Sequence, residues 1–97
     1  RLSYSVTKAA LDKLSGGLAV ELEPHGVHVI SIGLELPVLT DGFAYVNPDA
    51  DTSSWEPVEI MGEATLWVAK HAAAYNGRVV TIADLRQDFA RGAPPLA

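Results

Sequence analysis

The sequence predicts an α/β protein, and within that class the latter part of a doubly wound parallel sheet. Three observations carry the prediction. A long helical period from Ser3 to Glu23 is followed at once by a nearly continuous β-branched run, Val27-His28-Val29-Ile30-Ser31-Ile32. A second helical period, from about Glu56 to His71, precedes a second such run, Arg78-Val79-Val80-Thr81-Ile82. Strands this apolar on both faces have the composition of a covered parallel sheet.

In the first helix Val6, Ala9, Ala10, Leu14, Leu18 and Leu22 recur at three and four residues, without a proline until Pro24, where Pro24 and Gly26 stop the period. Gly16-Gly17 lies inside it, and each glycine costs a helix about 1 kcal/mol against alanine, which close approach of another backbone would offset. The segment from Gly33 to Ser54 contains Pro37, Gly42, Pro48 and the turn formers Asn47, Asp49 and Asp51, and reads as a long connection with room for a short helix around Asp41 to Val46. Ser53 and Glu56 have capping-box spacing, and the second helix would carry its stripe on Ile60, Ala64, Leu66, Trp67 and Val68. Asn76-Gly77 makes a turn into the second strand. Asp84 with Gln87 would cap a last short helix ending near Gly92, and 92–97 reads as a loose tail.

Composition narrows the possibilities. With 97 residues, 48% hydrophobic, the chain holds one domain at most, here a part of one, and is too apolar for a disordered tail. No cysteine is present, which excludes a disulfide scaffold, a zinc ribbon and a thiol nucleophile. No apolar run is long enough to span a bilayer and the first residues do not form a signal peptide, so the expected location is the cytoplasm, with no membrane partner. The first residue is Arg1 rather than Met, which suggests a fragment. The net charge of −5 is concentrated in Glu35 to Glu63, which carries acids and no Lys or Arg. Such a surface repels phosphates and argues against a nucleic-acid partner.

Chemistry is concentrated at Tyr4-Ser5-Val6-Thr7-Lys8. Residues four apart on a helix share a face, so the Lys8 ammonium can sit beneath the Tyr4 phenol oxygen. A phenol titrates near pH 10, and proton exchange near neutrality needs a shift of about 3 units, or about 4 kcal/mol. A unit charge at about 4 Å in an effective dielectric of about 20 supplies a similar magnitude. The pair alone is a short motif; it gains weight from opening a long helix that leads into a buried-type strand.

At these residues the chain resembles the short-chain dehydrogenase/reductase family. Ser3-Tyr4-Ser5-Val6-Thr7-Lys8-Ala9-Ala10-Leu11 is similar to that family's Tyr-x-x-x-Lys catalytic helix, and Leu18 to Val29 resembles the acidic helix end, turn and strand that follow it. The resemblance covers roughly Leu2 to Ala83, more weakly after the first strand. It implies a Rossmann-like domain, of which residues 1–97 are a part: catalytic helix 3–23, substrate loop 33–54, C-terminal helix and strand 56–82. It also implies an oxidoreductase that interconverts an alcohol and a carbonyl by hydride transfer with NAD or NADP. Tyr4 would exchange a proton with the substrate oxygen, while Lys8 would lower the phenol's pKa and hydrogen-bond the nicotinamide ribose. Where the family has a Pro-Gly pair after the strand, this chain reads Gly33-Leu34-Glu35-Leu36-Pro37; Gly33 is then the candidate for close backbone approach to the nicotinamide and Thr40 for the hydroxyl at its amide. The family's Gly-Gly after the last strand is absent, as Asp84 precedes Leu85-Arg86. The serine that polarises the substrate oxygen and the Gly-rich pyrophosphate turn would lie upstream of Arg1. The resemblance further implies a homodimer or homotetramer in which the long helix packs against its mate.

Other residues carry less. His25 and His28 flank a turn with no Cys or carboxylate set to complete a metal site. Trp55, Phe43 and Tyr45 are candidates for the substrate side of the loop. A second reading of the chain is a non-catalytic α/β interaction or dimerisation module derived from such an enzyme, and a third an α/β fragment whose Tyr-Lys pair is accidental.

Overall fold

Two short strands, β1 (Ser31–Gly33) and β4 (Val79–Thr81), pair in parallel with Ser31 opposite Val79, Ile32 opposite Val80 and Gly33 opposite Thr81. The computed structural model describes residues 2–35 and 37–92. Ahead of β1 runs α1 (Leu2–Leu22), closed by a 3-10 turn at Glu23–His25 in which Gly26 takes a left-handed conformation. Between the paired strands come β2 (Val38–Leu39), α2 (Asp41–Val46), β3 (Glu56–Pro57), α3 (Glu59–Lys70) and α4 (Ala72–Tyr75), and α5 (Ile82–Arg91) follows β4. The class is therefore α/β with a small parallel sheet, as the sequence predicts. A second parallel pair, β2 with β3, closes the neck of the long connection.

The first strand begins later than its apolar run. Val29 donates its amide to the Asn76 side chain at 2.8 Å and accepts from the Gly77 amide at 2.9 Å, so a turn side chain replaces one rung before the ladder proper starts at Ser31. Gly77 makes this possible with φ at +77°, where a Cβ would also meet Ala19 at 3.4 Å.

The core gathers around β4. Ala64 and Val68 of α3, Tyr75, Val80, Ile82 and Leu85 are buried together, with Ile30, Ile32, Ile60, Met61 and Trp67 packed against them. Leu66 is excluded: lying two positions from both Ala64 and Val68, it falls on the far side of α3 and is 57% exposed. Among these apolar groups Tyr75 anchors a polar chain across three helices. Trp67 Nε1 donates to the Tyr75 hydroxyl at 2.8 Å, that hydroxyl donates to Asp88 at 2.7 Å, and Arg91 donates to the other Asp88 oxygen at 2.6 Å. Burial pushes the Tyr75 hydroxyl above the usual phenol range, and the Asp88 carboxylate adds to the effect.

Helix termini differ from expectation in instructive ways. Ser53 does not cap a helix with Glu56; its amide donates to Asp51 in a local turn, and the Glu56 amide is taken by Pro37 at 2.9 Å, so α3 starts only at Glu59. The last helix begins earlier than Asp84. Thr81 is its N-cap, with Asp84 rather than Gln87 as reciprocal partner, at 3.2 and 3.0 Å. Gly92 ends it with φ at +72°. Of the predicted tail 92–97, residues 93–97 lie outside the described residues.

In α1 the packed face coincides with the predicted apolar stripe only toward the helix's end. Ala19 is its one buried residue among those described, and Asp12 ties it to β1 by accepting from Ser31 Oγ at 2.5 Å. Asp12, Ser15, Gly16, Leu18, Ala19 and Leu22 form the covered side, so the predicted stripe packs at Leu18 and Leu22, while Val6, Ala9, Ala10 and Leu14 remain exposed. Small side chains let the helix approach the strand, and the stripe before Leu18 points away. The radius of gyration, 15.3 Å, exceeds the about 13 Å of a compact domain of this length.

Tyr75→Phe deletes the hydroxyl shared by Trp67 and Asp88 and leaves both half-satisfied. Urea unfolding is expected to show a loss of about 1–3 kcal/mol.

Candidate functional site

The helical spacing of Tyr4 and Lys8 is realised in the first turns of α1. The Lys8 ammonium lies 5.4 Å from the centroid of the Tyr4 ring, so the contact is made to the face of the ring rather than as a hydrogen bond to the phenol oxygen. Thr7 turns its hydroxyl back to the Tyr4 carbonyl at 2.7 Å and thus away from any part in this pair. Tyr4 is 60% exposed. Asp12, one further step of four along the helix, completes a stripe of Tyr4, Lys8 and Asp12. Since Asp12 is bonded to Ser31, the stripe is on the side of α1 that meets the sheet. Sequence reasoning passed over Asp12; its signal was the continued four-residue spacing from Tyr4 and Lys8.

Gly33 and Thr40 sit elsewhere. Gly33 ends β1, and a Cβ there would stand 3.8 Å from the Val80 carbonyl oxygen, an ordinary contact, so the packing within the chain does not itself demand glycine. Its position, at the carboxyl end of a parallel strand, is where open α/β sheets bind ligands. Thr40 is the N-cap of α2, its Oγ1 accepting from the Phe43 amide at 3.2 Å, which leaves its hydroxyl proton to donate. No hydrogen bond, ion pair or ring contact joins Tyr4 or Lys8 to Gly33 or Thr40 among the described residues. The chain therefore assembles the first pair and holds the second pair apart from it.

On the loop, Phe43 and Trp55 meet each other with ring centroids 4.6 Å apart, whereas Tyr45 is 88% exposed. Gly16 and Gly17 have nothing within 4 Å of where a Cβ would stand, so among the described residues no backbone makes the expected close approach. A groove of about 470 Å³ opens between α3 and α5, lined by Ile60, Trp67, Leu85 and Phe89 with Lys70 and Arg86 at its edge; it includes neither Tyr4 nor Lys8. No group of three or more His, Asp or Glu is placed to hold a metal ion among the described residues. Nor is any of their helices long and apolar enough to cross a membrane.

Just beyond the strand end, Glu35 does something the sequence did not disclose. Its carboxylate accepts from the Ala83 amide at 3.0 Å, in the first turn of α5. The Thr81 hydroxyl and the Ala83 amide together hold its pKa below the ordinary glutamate value of 4.5. Comparison with known proteins adds no family: no family model matches the chain, and neither the curated proteins nor the solved structures yield a match.

A carboxylate whose folded pKa is lowered contributes stability above its unfolded pKa, and the contribution is lost as pH falls through the folded value. The Ala83 amide resonance should accordingly titrate with a midpoint below 4.5. In Glu35→Gln that acid titration should vanish from the NMR spectrum.

Proposed function

We infer that this chain is the C-terminal portion of a Rossmann-like NAD(P)-dependent oxidoreductase that interconverts an alcohol and a carbonyl, with Tyr4 as general acid/base and Lys8 as the cation that tunes it. The observation that carries the reading is the Tyr4–Lys8 contact, 5.4 Å from ammonium to ring, on a helix face that leads through Asp12 to a parallel strand. A wider sheet is supported by the two-stranded pairing of β1 with β4 and by the small part of α1 that is covered. Two parallel strands are a marginal sheet unless both faces and edges are covered.

The chemistry of the donor groups suits the nicotinamide end of such a cofactor, although no contact among the described residues joins Tyr4 and Lys8 to Gly33 and Thr40. Lys8 has no carboxylate partner among the described residues and offers its three donors to ribose hydroxyls. The Gly33 backbone presents no side chain at the strand end, and the Thr40 hydroxyl retains a proton to donate to an amide oxygen. The nicotinamide would supply or take the hydride. When a carbonyl is reduced, the Tyr4 phenol proton passes to the substrate oxygen, and the Lys8 charge favours the phenolate left behind. In the oxidative direction Tyr4 takes the proton from the hydroxyl. The loop from Gly33 to Ser54 would cover the substrate, with Phe43 and Trp55 as its aromatic wall.

The exposed apolar side of α1, with Val6, Leu14 and Val20, supports a homodimer or homotetramer in which this helix meets its mate, and of the Gly16-Gly17 pair Gly17 lies on that side and leaves room for a second backbone. The same surface favours the second reading, a non-catalytic dimerisation module.

Turnover separates the two. The intact enzyme should oxidise NAD(P)H with a carbonyl substrate, and Tyr4→Phe should lower kcat by about 10²–10⁴-fold. Retention of full rate by Tyr4→Phe would remove Tyr4 from the mechanism. Lys8→Ala should also depress kcat and move the rate–pH profile to higher pH.

A further inference from the structure

The loop that spans residues 40–55 is built as one body and is fastened to the rest of the protein on a single helix. Its neck is the β2–β3 pair, with Val38 opposite Glu56 and Leu39 opposite Pro57. Inside the neck its hydrogen bonds are its own: the Ala44 amide to Thr40, the Asn47 amide to Phe43, the Ala50 amide to Asn47 and the Trp55 amide to Thr52, at 2.9–3.2 Å. The Phe43–Trp55 ring contact joins its two limbs. Compact surface loops with close ends, packed by their own side chains, are frequently functional.

Both flanks of the neck then end on α5 or its cap. Glu35, before β2, is held by Thr81 and by the Ala83 amide at 3.0 Å. Glu56, in β3, takes Arg86 Nη2 at 2.8 Å. Among the described residues these are the polar ties from 35–57 to the remainder of the chain. Since Glu35 to Glu63 carries acids and neither Lys nor Arg, Arg86 is the cation that meets this acidic segment. The pair is partly solvated, with side chains 55% and 14% exposed, which keeps it weak enough to open and sensitive to salt.

We propose that α5 is the latch of this loop: the Arg86–Glu56 pair and the Glu35–Ala83 contact form a two-point clasp, and when the clasp opens residues 40–55 swing away as a rigid unit. The proposal rests on the lid reading only for what the loop covers, because the clasp is defined by contacts and its test reads distance rather than turnover. The absence of cysteine allows clean labelling. Spin labels at Tyr45→Cys and Gln87→Cys, both exposed, report the loop-to-α5 distance, and a second pair at Tyr45→Cys and Ala50→Cys reports the loop's interior. In Arg86→Ala the first distribution should gain a longer component, the second should stay unchanged, and the reversed pair Arg86→Glu with Glu56→Arg should restore the first. High salt should reproduce the effect of Arg86→Ala in the native protein and not in that variant. An unchanged Tyr45–Gln87 distribution in Arg86→Ala overturns the latch. So does broadening of both pairs together, which would mean that the loop melts rather than swings.

Discussion

Parallel pairing of Ser31–Gly33 with Val79–Thr81 is the constraint on which the other elements depend. Two parallel strands cannot be joined by a tight turn; the chain must leave one end of the sheet and return at the other. Everything from Leu34 to Arg78 is therefore a crossover. Its length provides both a helix to cover the sheet and a loop at the carboxyl end of β1. The anchoring of that crossover is local and polar at its return. Asn76 and Gly77 bind the backbone of Val29 before the ladder begins, so the turn and the strand fix each other's register.

The two halves of the molecule are stabilised differently. Around β4, apolar burial is continuous, and the Trp67–Tyr75–Asp88–Arg91 chain satisfies the polar atoms that this burial would otherwise strand. A buried carboxylate without such partners would cost several kcal/mol. Around α1 the situation is reversed: one hydrogen bond, donated by Ser31 to Asp12, and the burial of Ala19 beside Gly77 hold a helix of which Val6, Leu14 and Val20 face outward. A helix so little packed has little to hold it beyond its own backbone bonds and propensities, and two interior glycines lower those.

Much of this was legible in the sequence, and the failures have physical reasons. Val79 to Thr81, the Asn76-Gly77 turn, the short helix at Asp41 and the stop at Gly92 follow from local chemistry that acts wherever the chain is placed. Periodicity assigned the packed side of α1 correctly only at Leu18 and Leu22; a count of apolar residues also favours Val6, Ala9, Ala10 and Leu14, whereas the strand accepts small residues and a carboxylate. Ser53 and Glu56 matched a capping box, but a parallel rung to Pro37 claimed the Glu56 amide. Glu35, Glu56 and Arg86 were invisible as partners because their contacts link positions 30 and 48 residues apart. Tyr4 and Lys8 were legible because four residues of helix bring them together without help from the rest of the fold.

That same locality limits what the pair does alone. The attraction between a unit charge and a phenolate at about 4 Å is worth about 1 kcal/mol in water and about 4 kcal/mol at an effective dielectric of about 20. Tyr4, at 60% exposure, stands nearer the first condition. The spacing of Tyr4 and Lys8 brings a cation to an exposed phenol ring, and in the proposed chemistry the leverage of Lys8 grows only as water is removed from around both groups. In the proposed enzyme that covering would come from the sheet side, where the loop at the carboxyl end of β1 closes, and not from the open side of α1. On this argument the chemistry encoded in five residues is expressed by elements that the five residues do not touch.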